Sequence, residues 1–155
     1  MWNLDDQTAC ARVLHFELPW AQTWADMREG HTDREKRERI RAIAAQALTS
    51  PLPVAKRWAI RIHVWKRGSR PFDIENVAKP IIDAFCLGQI QRDGSPHTRL
   101  GLYPDDRIDY VSMLQVAGER TDGADRTAVE LFAHPPPLAL GPDDARSINL
   151  KAEPA

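Results

Sequence analysis

The stretch DIENVAKPIID, from Asp73 to Asp83, puts the carboxylates of Asp73, Glu75 and Asp83 beside the amide of Asn76 and the ammonium of Lys79. An acidic pair, Asp105 and Asp106, follows downstream. Side chains of these types hold a divalent cation against a phosphate. With the rotation of an α-helix, Ile74, Val77, Ala78, Ile81, Ile82, Ala84 and Phe85 fall on one half of the cylinder. Asp73, Glu75, Asn76, Lys79 and Asp83 fall on the other half. Asp73 is suited to cap the free N–H groups of the first turn. Pro80 removes one helical hydrogen bond and predicts a kink. A solvated helix face carries the same Glu75, Lys79, Asp83 ladder at i, i+4, i+8, so spacing alone leaves surface pairing open.

Magnesium bound to such a site neutralises non-bridging phosphate oxygens, lowers the pKa of an attacking water and stabilises the leaving alkoxide. It takes carboxylates from several chain positions and keeps waters for a substrate to displace. Asp73 and Glu75 at a helix start, with Asp105 and Asp106 at the mouth of a neighbouring strand, offer that arrangement. Lys79, one turn on, is placed to meet a scissile phosphate as a point charge. The ordinary alternative for Pro104-Asp105-Asp106 is a β-turn, and the same tripeptide recurs at Pro142.

The elements that must position these residues are legible from periodicity. Residues 12–18 alternate, with Leu14, Phe16 and Leu18 inward and Val13, His15 and Glu17 outward, and read as a half-buried strand ended by Pro19. Thr32 and Glu35 form a capping box that opens a helix running to about Leu48, before the Ser50-Pro51-Leu52-Pro53 break. Ile40, Ile43, Ala44, Ala47 and Leu48 are its expected inward residues, and Arg34, Arg37 and Arg41 its expected solvated stripe. Residues 57–66 alternate again, with Trp58, Ile60, Ile62 and Val64 toward the core and Arg61, His63 and Trp65 away from it. The turn from Lys66 to Arg70 feeds the acidic helix, for which Gly88 is the expected C-cap. A loop over 89–103 leads to Asp105 and Asp106. Strands over 107–116 and 127–133 follow, joined by a polar hairpin loop over 118–126. The order β-α-β-α-β-β predicts a single α+β domain, a mixed sheet with helices packed on it.

The chain of 155 residues is long enough for one buried core, and 43% hydrophobic with 28% charged residues excludes a disordered chain. No apolar run is long enough for a transmembrane helix, so no membrane partner is expected. The N-terminal MWNLDDQTAC lacks the layout of a signal peptide, which makes the cytoplasm the expected compartment. Cys10 and Cys86 are too few for a disulfide framework and read as small buried residues, and the five histidines lack zinc-ligand spacing. Any metal is therefore a hard, oxygen-seeking one. A net charge of −1 argues against indiscriminate nucleic-acid binding. The span from Lys56 to Arg70, however, holds six basic residues and no acid, enough to meet a polyanion locally. Solvated edge charges are the alternative reading of Arg61, Lys66, Arg67 and Arg70. Trp24 and Trp65 suit either base stacking or packing in a core or dimer interface.

A basic strand and turn, then D-x-[DE]-N-x-x-K-x-x-x-D, then D-D opening a strand, resembles the RusA family of Holliday junction resolvases. The likeness covers about residues 12–133 and includes Leu18-Pro19-Trp20 and Val129-Glu130-Leu131. The resemblance implies a RusA-like fold, with a nuclease domain over 1–137 and a proline-containing C-terminal tail over 138–155. It implies a homodimeric, Mg²⁺-dependent endonuclease, with Mn²⁺ as a substitute, that resolves four-way DNA junctions by paired incisions in recombination and repair. Asp73, Glu75 and Asp106 map to the family's metal-binding acids and Lys79 to its essential basic residue. Asn76, Asp83 and Asp105 take supporting roles, and Arg61, Lys66, Arg67 and Arg70 take DNA contacts. Glu75 stands where the family usually has aspartate. The alternatives are a divalent-metal nuclease of other specificity, acting on flaps, single strands or RNA, and a non-catalytic nucleic-acid-binding protein that keeps the fold.

Overall fold

The computed structural model of the chain describes residues 3–22 and 33–135. Thr32 of the expected capping box, Trp24, and the expected tail over 138–155 lie outside the described residues. Strand β1 (Ala11–Leu18) leads to helix α1 (Asp33–Ala47), strand β2 (Arg57–Arg67), a 3-10 turn (Ile74–Val77) and helix α2 (Ala78–Ala84). Helix α3 (Leu87–Asp93), a second 3-10 turn (Thr98–Leu100), and strands β3 (Val111–Thr121) and β4 (Arg126–His134) complete it. The result is a single-domain α+β fold whose four-stranded mixed sheet has the order β1-β4-β2-β3. β4 is antiparallel to both β1 and β2, and β3 is parallel to β2.

The alternating strands sort as their patterns predict. Leu14, Phe16, Leu18, Trp58, Ile60, Ile62 and Val64 join α1 and α2 in the main core. Val13 falls at the register shift between Arg12 and Leu14, a bulge in β1. Among the described residues, the opposite sheet face carries only a small cluster of Leu4, Cys10, Ala59 and Phe132 and is otherwise open. Cys10 and Cys86 are both free and buried. Trp65 lies on this open face and not in the core, its ring 4.2 Å from His63 and 3.9 Å from the Arg126 guanidinium.

Four expectations are corrected. First, β3 and β4 do not form a hairpin. They flank β2, so the connection crosses the end of that strand, where Asp125 accepts from the Arg67 N–H at 2.7 Å and from Lys66 Nζ at 3.0 Å. Second, β3 starts at Val111 and not Arg107, because residues 107–110 make a turn in which Arg107 O accepts from the N–H groups of Tyr110 and Val111. Third, the 89–103 segment is not all loop. α3 covers Leu87–Asp93 and is closed by Gly94 at φ 64, while Gly88 lies in its first turn instead of ending α2.

Fourth, Arg37 and Arg41 are buried, not solvated. Positions 37, 40, 41 and 44 share one stripe of α1, so burying Ile40 and Ala44 draws both arginines inward. Arg37 makes a two-pronged pair with Asp93 at 2.7 Å on each prong. Arg41 reaches Asp93 at 2.9 Å and Glu38 at 2.6 Å. Arg34 stays exposed, as expected.

Candidate functional site

Pro80 decides how the acidic segment folds. A proline inside a longer helix would leave one carbonyl unpaired and collide with it, so α2 begins only at Ala78, and Pro80 sits in the first turn, where N–H groups have no intrahelical partner. The preceding residues form a 3-10 turn in place of a kinked helix. Asp73 stands at its N-terminus without a side-chain cap, its carbonyl accepting from the Asn76 N–H at 3.2 Å. The tighter winding breaks the i, i+4, i+8 ladder, and only the Lys79–Asp83 rung forms. Val77, Ala78, Ile81, Ala84 and Phe85 are buried as the periodicity predicts. Ile74 is not. It is 39% exposed and packs beside Gly118 of β3, where an added Cβ would come within 2.6 Å of its Cγ2.

α2 ends at Phe85, and Cys86 takes an extended conformation that pairs in parallel with Tyr103. Leu87 N–H donates to Tyr103 O at 2.8 Å, Gly88 N–H to Pro104 O at 3.3 Å, and Leu102 N–H to Phe85 O at 3.0 Å. These bonds strap the segment carrying Asp105 and Asp106 against the helix break. Lys79 Nζ thereby donates to Asp83 Oδ1 at 2.9 Å and to Asp106 Oδ2 at 3.3 Å. Lys79 and Asp106 are about half exposed, whereas the Asp83 side chain is 13% exposed and lies beneath the lysine. Burial works to lower the Lys79 pKa, but the hydrogen bond and charge of Asp83, then those of Asp106, outweigh it and hold the ammonium above the ordinary lysine value.

The remaining candidates are placed differently. Asp105 turns away to Arg107, with contacts of 2.8 to 3.0 Å, and its carboxyl is held below the usual range by the side-chain and backbone hydrogen bonds of that residue. Asp73 and Glu75 are exposed on the 3-10 turn and make no ion pair among the described residues. Asn76 is partly buried beside them. The donor chemistry of Asp73, Glu75 and Asp106 suits a hard cation. Among the described residues, no three His, Cys, Asp or Glu side chains gather at metal-holding distance.

The expected DNA-contacting residues split between two sides of the sheet. Arg61 is on the open face, bound to Glu130 at 2.8 Å and to Asp5 at 3.0 Å. Lys66 is held by Asp125 and by Ala21 O at 3.2 Å, with its ammonium 5.1 Å from the Phe72 ring. Arg67, the last residue of β2, and Arg70, in the turn that leads toward the 3-10 segment, are exposed. Two residues beside the cluster carried no signal of their own in the motif. The Tyr103 hydroxyl, fully buried, donates to Ile82 O at 2.6 Å, and Arg41 reaches the end of α2 from α1. The shared stripe of positions 37, 40, 41 and 44 is the pattern that foretells the second. The chain matches no model of a known protein family, and no curated protein sequence matches it significantly.

Proposed function

We propose that the protein is a Mg²⁺-dependent, structure-selective DNA endonuclease of RusA-like fold that resolves four-way junctions by paired phosphodiester hydrolysis, acting as a homodimer. The observation that carries the reading is the 3.3 Å contact between Lys79 and Asp106. It joins the helix motif to the downstream acidic pair across 27 positions of sequence. Asp106, Asp73 and Glu75 are the residues that would hold the cation, which when bound supplies an activated water and charge neutralisation at the phosphate. Lys79, half exposed and kept protonated by its two carboxylate neighbours, presents a fixed positive charge to a non-bridging oxygen. Asp83 holds that ammonium from below. Asn76 and Asp105 support the surrounding turns, and Arg67 and Arg70 offer charges to the DNA backbone beside the acidic segment.

The test is cleavage of a synthetic mobile four-way junction by the full chain with Mg²⁺ or Mn²⁺, beside a linear duplex of the same sequence and an Asp106→Asn variant. Symmetric nicking of the junction alone, reduced by at least about 100-fold in Asp106→Asn with junction binding retained, is the expected result. Binding without cutting under either metal points instead to a non-catalytic nucleic-acid-binding protein. One observation favours a second enzymatic reading. Arg61 and Lys66 are already committed to Glu130, Asp5 and Asp125, which leaves fewer cations to grip a branched duplex. A divalent-metal nuclease acting on flaps, single strands or RNA fits that thinner grip, and a substrate panel separates the two.

A further inference from the structure

The last carbonyls of a helix have no partner within it, and where a helix ends inside a protein other groups must supply them. At the end of α2, Ile82 O and Asp83 O accept locally from the Phe85 and Cys86 N–H groups at 3.3 Å each, and four successive carbonyls also each receive a donor from a distant part of the chain. Tyr103 Oη donates to Ile82 O at 2.6 Å. Arg41 donates through one terminal nitrogen to Asp83 O at 3.4 Å and through Nε to Ala84 O at 2.8 Å. The Leu102 N–H donates to Phe85 O at 3.0 Å.

Arg41 is 0% exposed, with its other terminal nitrogen on Asp93 and Glu38. A buried ion pair is weak support for stability, since well-packed apolar residues of like volume often serve as well. What an apolar residue cannot supply is a rigid fork that grips two backbone oxygens on one edge and two carboxylates on the other. A lysine in its place keeps the charge and loses the fork.

We infer that Arg41 is a positioning residue for the candidate site. Through the carbonyls of Asp83 and Ala84 it fixes the last turn of α2, and so the carboxylate that aims Lys79 at Asp106. Tyr103 grips the same turn through Ile82 O, three residues ahead of Asp106, and the two together set the spacing between helix and acidic turn. The inference gives the cluster a purpose only under the proposed nuclease function, but its geometry is testable without metal or substrate.

The experiment is zero-length carbodiimide cross-linking of the full chain, with the amides formed by Lys79 identified by peptide mass spectrometry. The intrahelical Lys79–Asp83 link is the internal reference for the Lys79–Asp106 link. In Arg41→Lys and Tyr103→Phe the ratio of the second link to the first falls by about fivefold, the scale of one lost buried hydrogen bond. In Arg37→Met, which removes the other arginine's pairing with Asp93 but none of the hydrogen bonds to the α2 carbonyls, the ratio holds although thermal stability drops. An unchanged ratio in folded Arg41→Lys, an equal fall in Arg37→Met, or absence of the Lys79–Asp106 link from the wild type overturns the inference. Should Arg41→Lys fail to fold, Tyr103→Phe, which keeps the buried ring, decides whether the grip on this turn governs the spacing. A wild-type protein that shows the expected ratios yet cuts no nucleic acid refutes the nuclease reading and leaves the positioning role standing.

Discussion

Lys79 stands between one carboxylate that is nearly buried and one that is half exposed, and this asymmetry sets its behaviour with pH. Its folded-state pKa is raised, so the stability it contributes is fully present below the unfolded lysine value and is lost as pH climbs through the higher folded value. The difference in urea midpoint between wild type and Lys79→Met is therefore constant from neutrality to about pH 10 and shrinks above it. Denaturation series across that range check this. Asp93 has the opposite sign. Burial works to raise its pKa, but hydrogen bonds from Arg37, Gln89 and Arg41 more than reverse this and hold it far below the usual carboxylate range. Its contribution is present above the ordinary aspartate value and fades as pH falls toward the depressed one. Asp93→Asn leaves the guanidinium groups of Arg37 and Arg41 short of a counter-charge and destabilises the fold by ~3 kcal/mol at neutral pH, measurable by urea unfolding.

Among the elements, the 3-10 turn that carries Asp73 and Glu75 is held from outside by β3. A Cβ at Gly118 would come within 2.6 Å of Ile74 Cγ2, an atom close to the backbone on a stiff β-branched side chain. Gly118→Ala therefore displaces the turn. Metal-dependent cleavage is expected to fall about tenfold with little change in melting temperature, and Ile74→Ala in the same chain restores it. Strand positions and the inward faces of β1 and β2 were legible because period-2 alternation survives in any sheet order. The order itself was not. Residues 118–126 look like a hairpin loop, and nothing in their composition reveals that β2 lies between the two strands they join. The extent of the acidic helix does not follow from periodicity, because its apolar spacing continues through Pro80 while its hydrogen bonding cannot. α3 has no clear sequence signature, because seven residues, with only Ile90 and Asp93 buried among them, carry too little periodicity to stand out from a loop. The pairing of Lys79 with Asp106 depends on the Cys86 and Tyr103 bridge, a long-range contact with no local signature.

At the scale of the whole molecule, the basic residues differ in how far they are neutralised. Arg67 and Arg70 are exposed around the turn that leads toward the acidic segment. Arg12, Arg61, Glu130 and Asp5 neutralise one another on the sheet face away from the main core. Arg61→Ala is accordingly expected to leave junction affinity and its salt dependence unchanged, whereas Arg67→Ala with Arg70→Ala weakens binding and reduces the log–log salt slope by ~1 per lost phosphate contact. Fluorescence anisotropy at several salt concentrations distinguishes the two outcomes. The central place of β4 also bears on synthesis. This strand is the last among the described residues, yet it fills the gap between the first two, so a ribosome-bound chain that ends before residue 126 presents β1 and β2 as two unsatisfied edges with a vacant slot between them. Until that final strand emerges, the apolar faces of Leu14, Phe16, Ile60 and Ile62 have no completed sheet to shelter in. The nascent protein thus keeps an apolar, incompletely paired sheet surface exposed for most of its translation, and an extended segment of foreign chain that enters the slot first competes with β4.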